Sequence, residues 1–128
     1  MTRHTVRVYF EDTDFTGRVY HGAFIRFLER GRTELLRERG LDHSALAAED
    51  RYFTIRDMTV SFHGPALIDD LLTVTATPRG MRASATIDQT VLRGEAVLCR
   101  ASVELCLIDG RGRPVRPSAQ LRAALSGG

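Results

Sequence analysis

Four side chains in the stretch 9–21 have the means to do acid–base or nucleophilic chemistry: Glu11, Asp12, Asp14 and His21. They lie in YFEDTDFTGRVYH, an acidic loop containing Gly17 that runs straight into a helical apolar pattern. A carboxylate placed there can act as a nucleophile or as a general base that activates water. The start of a helix adds unpaired N–H groups and the positive end of the dipole, both suited to a developing oxyanion. The same residues have plain structural uses. Asp14 would serve equally as an Asx-turn or capping residue, and His21 as a packing residue rather than a proton carrier.

The elements that must position these groups are legible as periodicities. Residues 4–10 alternate, with Val6, Val8 and Phe10 on one face and Thr5, Arg7 and Tyr9 on the other, which predicts a half-buried strand. If that strand continued, Asp12 and Asp14 would share a side and Asp12 could perturb the ionisation of Asp14; the alternative, and the first reading, is that one of the pair ties down the loop. From Tyr20 the period becomes helical: Tyr20, Phe24, Phe27, Leu28, Gly31 and Leu35 form one stripe, and Gly40 marks the end of a helix over about 20–39. Gly31 forgoes about 1 kcal/mol of helix propensity, so its place on the buried stripe implies a very close approach to the sheet backbone. Glu29, the other carboxylate within reach on this helix, reads first as an exposed residue between Arg26 and Arg32.

Residues 41–50 read as a connecting turn with one loose helical turn. Four strand-like runs follow, at 51–64, 71–80, 81–92 and 95–109, with hairpin turns expected at Arg79-Gly80 and Arg93-Gly94. A short helix, SAQLRAAL, comes near the end. The order is strand, long helix, then four strands in hairpin succession. One helix with an entire antiparallel sheet to pack against predicts an α+β fold in which a curved sheet of about five strands wraps the helix. The outer face of that sheet still carries apolar residues, so pairing with another copy is expected.

Composition narrows the classes further. The 128 residues suit a single domain, spanning 1–128. Every one of the 18 basic residues is Arg, and they interleave with Asp and Glu instead of forming a stripe, which argues against nucleic acid as a partner. No membrane span or signal peptide is apparent, and the expected location is cytoplasmic. Cys99 and Cys106 are separated by an odd spacing, so they fall on opposite faces of a strand and read as two buried thiols. There is no metal-ligand cluster, no G-x-S-x-G elbow and no phosphate-cradling Gly loop. No cofactor is implied.

The stretch RVYFEDTDFTGRVYHGAFIRFLERGRTELLRERG, together with MTVSFHGPALIDDLLTVTA, resembles the hotdog-fold acyl-CoA thioesterases of the 4-hydroxybenzoyl-CoA thioesterase type. The nearest branch is the bacterial acyl-CoA thioesterase found with the Tol–Pal system. The resemblance covers almost the entire chain, and its specific part is the D-T-D-x-x-G-x-V-Y-H core. It implies a sheet wrapped around a central helix, homodimers or homotetramers, and active sites at the interface between paired subunits. By motif position the catalytic carboxylate falls on Asp14, and the amide that polarises the thioester carbonyl on His21 or an immediate neighbour such as Gly22. Tyr20 would pack near the acyl end, as a core residue first and a wall of the site second. Arg79 and Arg82 are the candidates for the phosphates of coenzyme A, with solvated hairpin arginines as the equal alternative, and Glu29 is the reserve carboxylate, because another hotdog lineage draws its acid from the helix. Phe15-Thr16 departs from the small residues or Pro common there, which bears on the shape of the acyl pocket. The expected reaction is hydrolysis of an acyl-CoA or acyl-carrier-protein thioester. The alternatives are an enoyl-thioester hydratase or dehydratase and a non-catalytic acyl-binding hotdog.

Overall fold

The first strand stops sooner than its alternation suggests. In the computed structural model, which describes residues 1–127, β1 covers Thr2–Arg7 and the chain then enters a 3-10 turn, Phe10–Asp12. Asp12 is the cause. Its carboxylate accepts from the Tyr9 amide at 2.9 Å, while its own amide donates to the Tyr9 carbonyl at 3.0 Å. A short polar side chain that captures nearby backbone competes with a strand ladder. Val6 and Val8 remain buried, but Phe10 is 80% exposed and does not face the core as expected.

The long helix forms where its stripe places it, as α1 (His21–Glu38) with Tyr20 at the N-cap. It ends on Gly40 at φ +77°, with the Leu41 amide donating to the Leu36 carbonyl and the Gly40 amide to the Arg37 carbonyl. These two bonds close the last turn in a Schellman motif. A second helix, α2 (His43–Ala48), is better defined than the loose turn expected, because the Asp42 side chain accepts from the Ala45 amide at 2.7 Å.

Four strands follow: β2 (Tyr52–Phe62), β3 (Leu71–Met81), β4 (Ser84–Arg93) and β5 (Ala96–Ile108). The sheet order is β1-β3-β4-β5-β2, antiparallel throughout. Hairpins therefore join only β3 to β4 and β4 to β5. The simple succession expected from sequence fails at β2, which pairs with β5 at one edge while residues 63–70 carry the chain across to the other. The turn between β3 and β4 is also displaced: it falls at Arg82-Ala83, and Gly80 (φ +121°) sits in a bulge between Pro78 and Met81. Gly94 does occupy the β4–β5 turn. A second bulge, between Ile55 and Asp57, shifts the alternation of β2. Phe53 before it and Met58 and Val60 after it consequently pack on the same core.

The core lies between α1 and the concave face of the sheet. Ala23, Phe24, Phe27, Leu28 and Leu35 meet Val74, Ile87, Val91 and Val103 in one cluster, which α3 (Ala119–Ala124) closes with Leu121 and Leu125. Cys99 is buried and Cys106 half-buried, and neither is bonded to the other. Burial pushes the Cys99 thiol up to about 11, which keeps it protonated and unreactive. Among the described residues no helix is long and apolar enough to cross a membrane.

The close approach implied by Gly31 is real, although sheet side chains make it and not sheet backbone. A methyl group built on Gly31 would lie 2.6 Å from Val74 Cγ1 and 3.0 Å from Gln89 Nε2. Gln89 is buried; its Nε2 donates to the Leu28 carbonyl at 2.9 Å and its Oε1 accepts from Arg32 at 3.0 Å. Gly31→Ala should therefore lose more from overpacking, about 1–3 kcal/mol, than the roughly 1 kcal/mol it gains in helix propensity. Urea unfolding is expected to show a net loss of stability. A stabilised variant would mean that the contact is loose.

Candidate active site

The loop from Thr13 to Tyr20 is folded by Asp14 itself. Its Oδ1 accepts from the Thr16 amide at 2.8 Å, the Thr16 hydroxyl at 2.7 Å and the Arg18 amide at 3.3 Å. The Asp14 amide donates to the Arg18 carbonyl at 2.7 Å, and Gly17 takes φ +80° to complete the turn. The structural reading of Asp14 as an Asx-turn residue is thus correct for one of its oxygens. The other, Oδ2, accepts nothing among the described residues and sits on an exposed side chain. The Thr16 hydroxyl and amide, with lesser help from Arg18, hold this carboxyl below its ordinary value, so it is charged at neutral pH.

Tertiary contacts then place the loop. The crossing segment 63–70 pairs with it through Val19, whose amide donates to Ala66 at 2.9 Å, and through an Arg18–Leu67 bridge. Buried Asp12 accepts from Arg26 at 3.4 Å, and Arg26 donates to the Tyr20 hydroxyl at 2.9 Å with its guanidinium 5.5 Å from the ring centre. Asp12 is therefore a positioning residue that ties the 3-10 turn to the first turns of α1. It does not perturb Asp14, because the strand that would have aligned the two has already ended.

The helix start offers donors beside this carboxylate. No side chain caps α1, and the Ala23 and Phe24 amides both donate to the Tyr20 carbonyl, leaving the His21 and Gly22 amides without an acceptor among the described residues. The Tyr20 ring covers Gly22 closely enough that a methyl group there would stand 3.1 Å from Cε2. Asp14, Arg18, Val19, His21, Phe24, Phe62, Gly64 and Pro65 line a groove of about 370 Å³. Phe62 forms its aromatic wall, with ring centres 5.8 Å from Phe24 and 6.2 Å from His21. A carboxylate and the start of α1 thus border one groove, the two kinds of group that acyl transfer at a carbonyl requires.

Of the residues singled out in the sequence, Asp14 and His21 line this groove, whereas Tyr20 and Gly22 stand beside it at the helix start; Arg18, which the sequence reading did not single out, lines it too. Arg18 carried a signal, since it lies inside the loop motif. Phe62 lies in the second motif block, and the end of β2 and the crossing segment bring it to the helix. The structure does not bring Arg79 and Arg82 to this groove within one chain. They lie at the far end of β3, roughly 25 Å away by strand rise, and Arg79 pairs with Asp88 at 3.2 Å. Glu29 is exposed and borders a different cavity, between α1 and β2. Among the described residues no three His, Cys, Asp or Glu side chains gather to hold a metal ion.

A curled antiparallel sheet around a single long helix, with a carboxylate loop delivered to the helix start, defines the hotdog class. The family model of the Thioesterase superfamily matches residues 16–100, and the chain belongs to this superfamily of thioester hydrolases. It is 39% identical over 109 residues to the acyl-CoA thioester hydrolase YbgC of Escherichia coli, covering 84% of this chain and 81% of the relative. A probable thioesterase from Bartonella henselae is similar in structure, with a TM-score of 0.88 at 39% identity over 91% of this chain and 98% of that one. A hypothetical protein from Aquifex aeolicus shares the fold at a TM-score of 0.93 and 22% identity, covering 98% of this chain and all (100%) of the other.

The carboxyl of Asp14 should titrate below the ordinary aspartate range, and Thr16→Val, which removes the hydroxyl donor but keeps the amide, should move it upward. Side-chain carboxyl NMR across an acid titration checks this. An unmoved titration would show that the hydroxyl bond does not form.

Proposed function

We propose that the chain hydrolyses acyl-CoA thioesters, with Asp14 as nucleophile or general base and the His21 and Gly22 amides as oxyanion donors. The observation that carries the reading is that Asp14, with one carboxylate oxygen unengaged among the described residues, and His21, at the uncapped start of α1, line the same groove. The acyl-CoA hydrolase relative supports the substrate class. As a general base, the carboxylate takes a proton from water while the water oxygen attacks the thioester carbonyl. The oxyanion rests on the amides, the C–S bond breaks, and the proton passes to the departing thiolate. As a nucleophile, the same oxygen attacks the carbonyl and the C–S bond breaks to expel the thiolate, leaving a mixed anhydride; water then opens it, returning the carboxylate and releasing the acid, and the water's proton goes to the thiolate. A hydratase would want the His21 ring paired with an acid, whereas its ring neighbour is Phe62.

We also infer a homodimer joined along β2, or a tetramer of such dimers. β2 is an edge strand whose other side is unpaired, and it exposes Tyr52, Ile55 and Phe62. Antiparallel self-pairing about the strand centre, Asp57, would set the Phe62 end of one protomer against the Tyr52 end of its partner. Beside Thr54 of β2 lies a cavity of about 830 Å³ bordered by Arg56, Arg82, Arg116 and Arg122. Pairing would bring those cations next to the partner's groove, where they suit the phosphates of coenzyme A. In this arrangement Arg82 serves the neighbouring site rather than its own, and Arg79 stands behind it with Asp88.

Asp14→Asn should lower thiol release from an acyl-CoA panel by about 10²–10⁴-fold with KM little changed; release at the wild-type rate would remove Asp14 from the mechanism. Light scattering at micromolar concentration should give the mass of two or four chains, and a stable monomer would argue against a shared site.

A further inference from the structure

A second cavity, of about 510 Å³, lies between α1, β2 and the C-terminal helix, away from the Asp14 groove. Its walls are mostly apolar: Leu35, Leu36, Phe53, Ile55, Leu105 and Leu125. Set among them is Arg32, only 7% exposed. One of its terminal nitrogens donates to Gln89 Oε1 at 3.0 Å, and Arg32 makes no salt bridge and no second hydrogen bond among the described residues. No buried side-chain nitrogen in the described residues lacks a partner, so the remaining guanidinium donors are those that reach the cavity space. Burial pushes the guanidinium down from its ordinary value, yet an Arg in a protein stays charged.

An Arg without a carboxylate partner in such surroundings is an unusual expense for a core, since buried charges are ordinarily paired. A neutral amide on one side does not neutralise it. Glu29 acts on it electrostatically from the cavity rim but is itself exposed and not within ion-pair distance. His43, also on the rim, faces Thr33. The cavity volume falls within the range of small-ligand sites. A ligand suited to these walls has an apolar body and one planar anion able to take two of the open donors of the guanidinium.

We propose that this cavity is a binding site for an amphipathic carboxylate, whose apolar body lies along Phe53, Ile55 and Leu105 and whose anion pairs with Arg32. The carboxylate has two possible sources. It can be a free fatty or aryl acid, the product class of the reaction above. It can also be the distal carboxylate of an acyl group reaching in from the partner's groove, a case that rests on the hydrolase and dimer readings.

Calorimetric titration of the purified protein with decanoate and with 1-decanol tests the shared chemistry without turnover. Decanoate is expected to bind about tenfold tighter or better, in line with a charge-assisted hydrogen bond. Arg32→Met should abolish that preference, and Glu29→Gln, an exposed change that does not threaten folding, should strengthen it. Equal binding of acid and alcohol to the wild type, an acid preference that survives Arg32→Met, or weaker decanoate binding by Glu29→Gln would each overturn the proposal. The source is read from kcat/KM for adipyl-CoA against hexanoyl-CoA. A ratio that falls about tenfold in Arg32→Met assigns the carboxylate to the acyl group; an unchanged ratio alongside Arg32-dependent decanoate binding assigns it to the free acid. Failure to release thiol from any acyl-CoA would strike the hydrolase reading alone, because decanoate binding needs no reaction.

Discussion

The spacing between α1 and the sheet governs the rest of the molecule, and Gly31 and Gln89 set it. With no side chain at position 31, the helix settles onto Val74 until the Gln89 amide reaches the Leu28 carbonyl. A buried amide that completes its hydrogen bonds only at one separation fixes depth more sharply than apolar contact, which tolerates sliding. That depth fixes the height of the first turn of α1 above residues 63–70. The groove between Asp14 and Phe62 is therefore a remote consequence of a helix–sheet contact two to three turns away.

The same contact explains why Arg32 is where it is. Gln89 has one acceptor oxygen left after serving the helix carbonyl with its amide, and Arg32, one residue beyond Gly31, supplies the donor. The helix thus presents two different chemistries to the sheet. Its start offers bare amides, and its middle offers a cation held by a neutral partner. Tyr20 and Arg26 separate the two ends, joined through a hydroxyl and tied to Asp12.

Much of this was legible in the residues, and the failures share a cause. Periodicity located α1 and its Gly40 stop, and motif spacing located the Asp14–His21 pair, because both depend on neighbours a few positions apart. Phe10 was misplaced because Asp12 redirects the backbone through its own side chain, which alternation does not register. The turn at Arg82-Ala83 was misplaced because Gly80 carries a bulge, and a positive-φ glycine looks the same in either setting. The pairing of β2 with β5 and the arrival of Phe62 at the site depend on a crossing and an inserted residue, both relations between distant segments. Hairpin order is only the default expectation for consecutive strands.

The bonds that aim the Asp14 carboxylate come from residues within four positions of it, whereas the amides and the aromatic wall opposite are set by contacts across the fold. The two halves of the site therefore answer to different parts of the sequence. Substitutions in the core can shift the aromatic wall and leave the Asp14 carboxylate untouched, so the loop behaves as a self-contained cartridge.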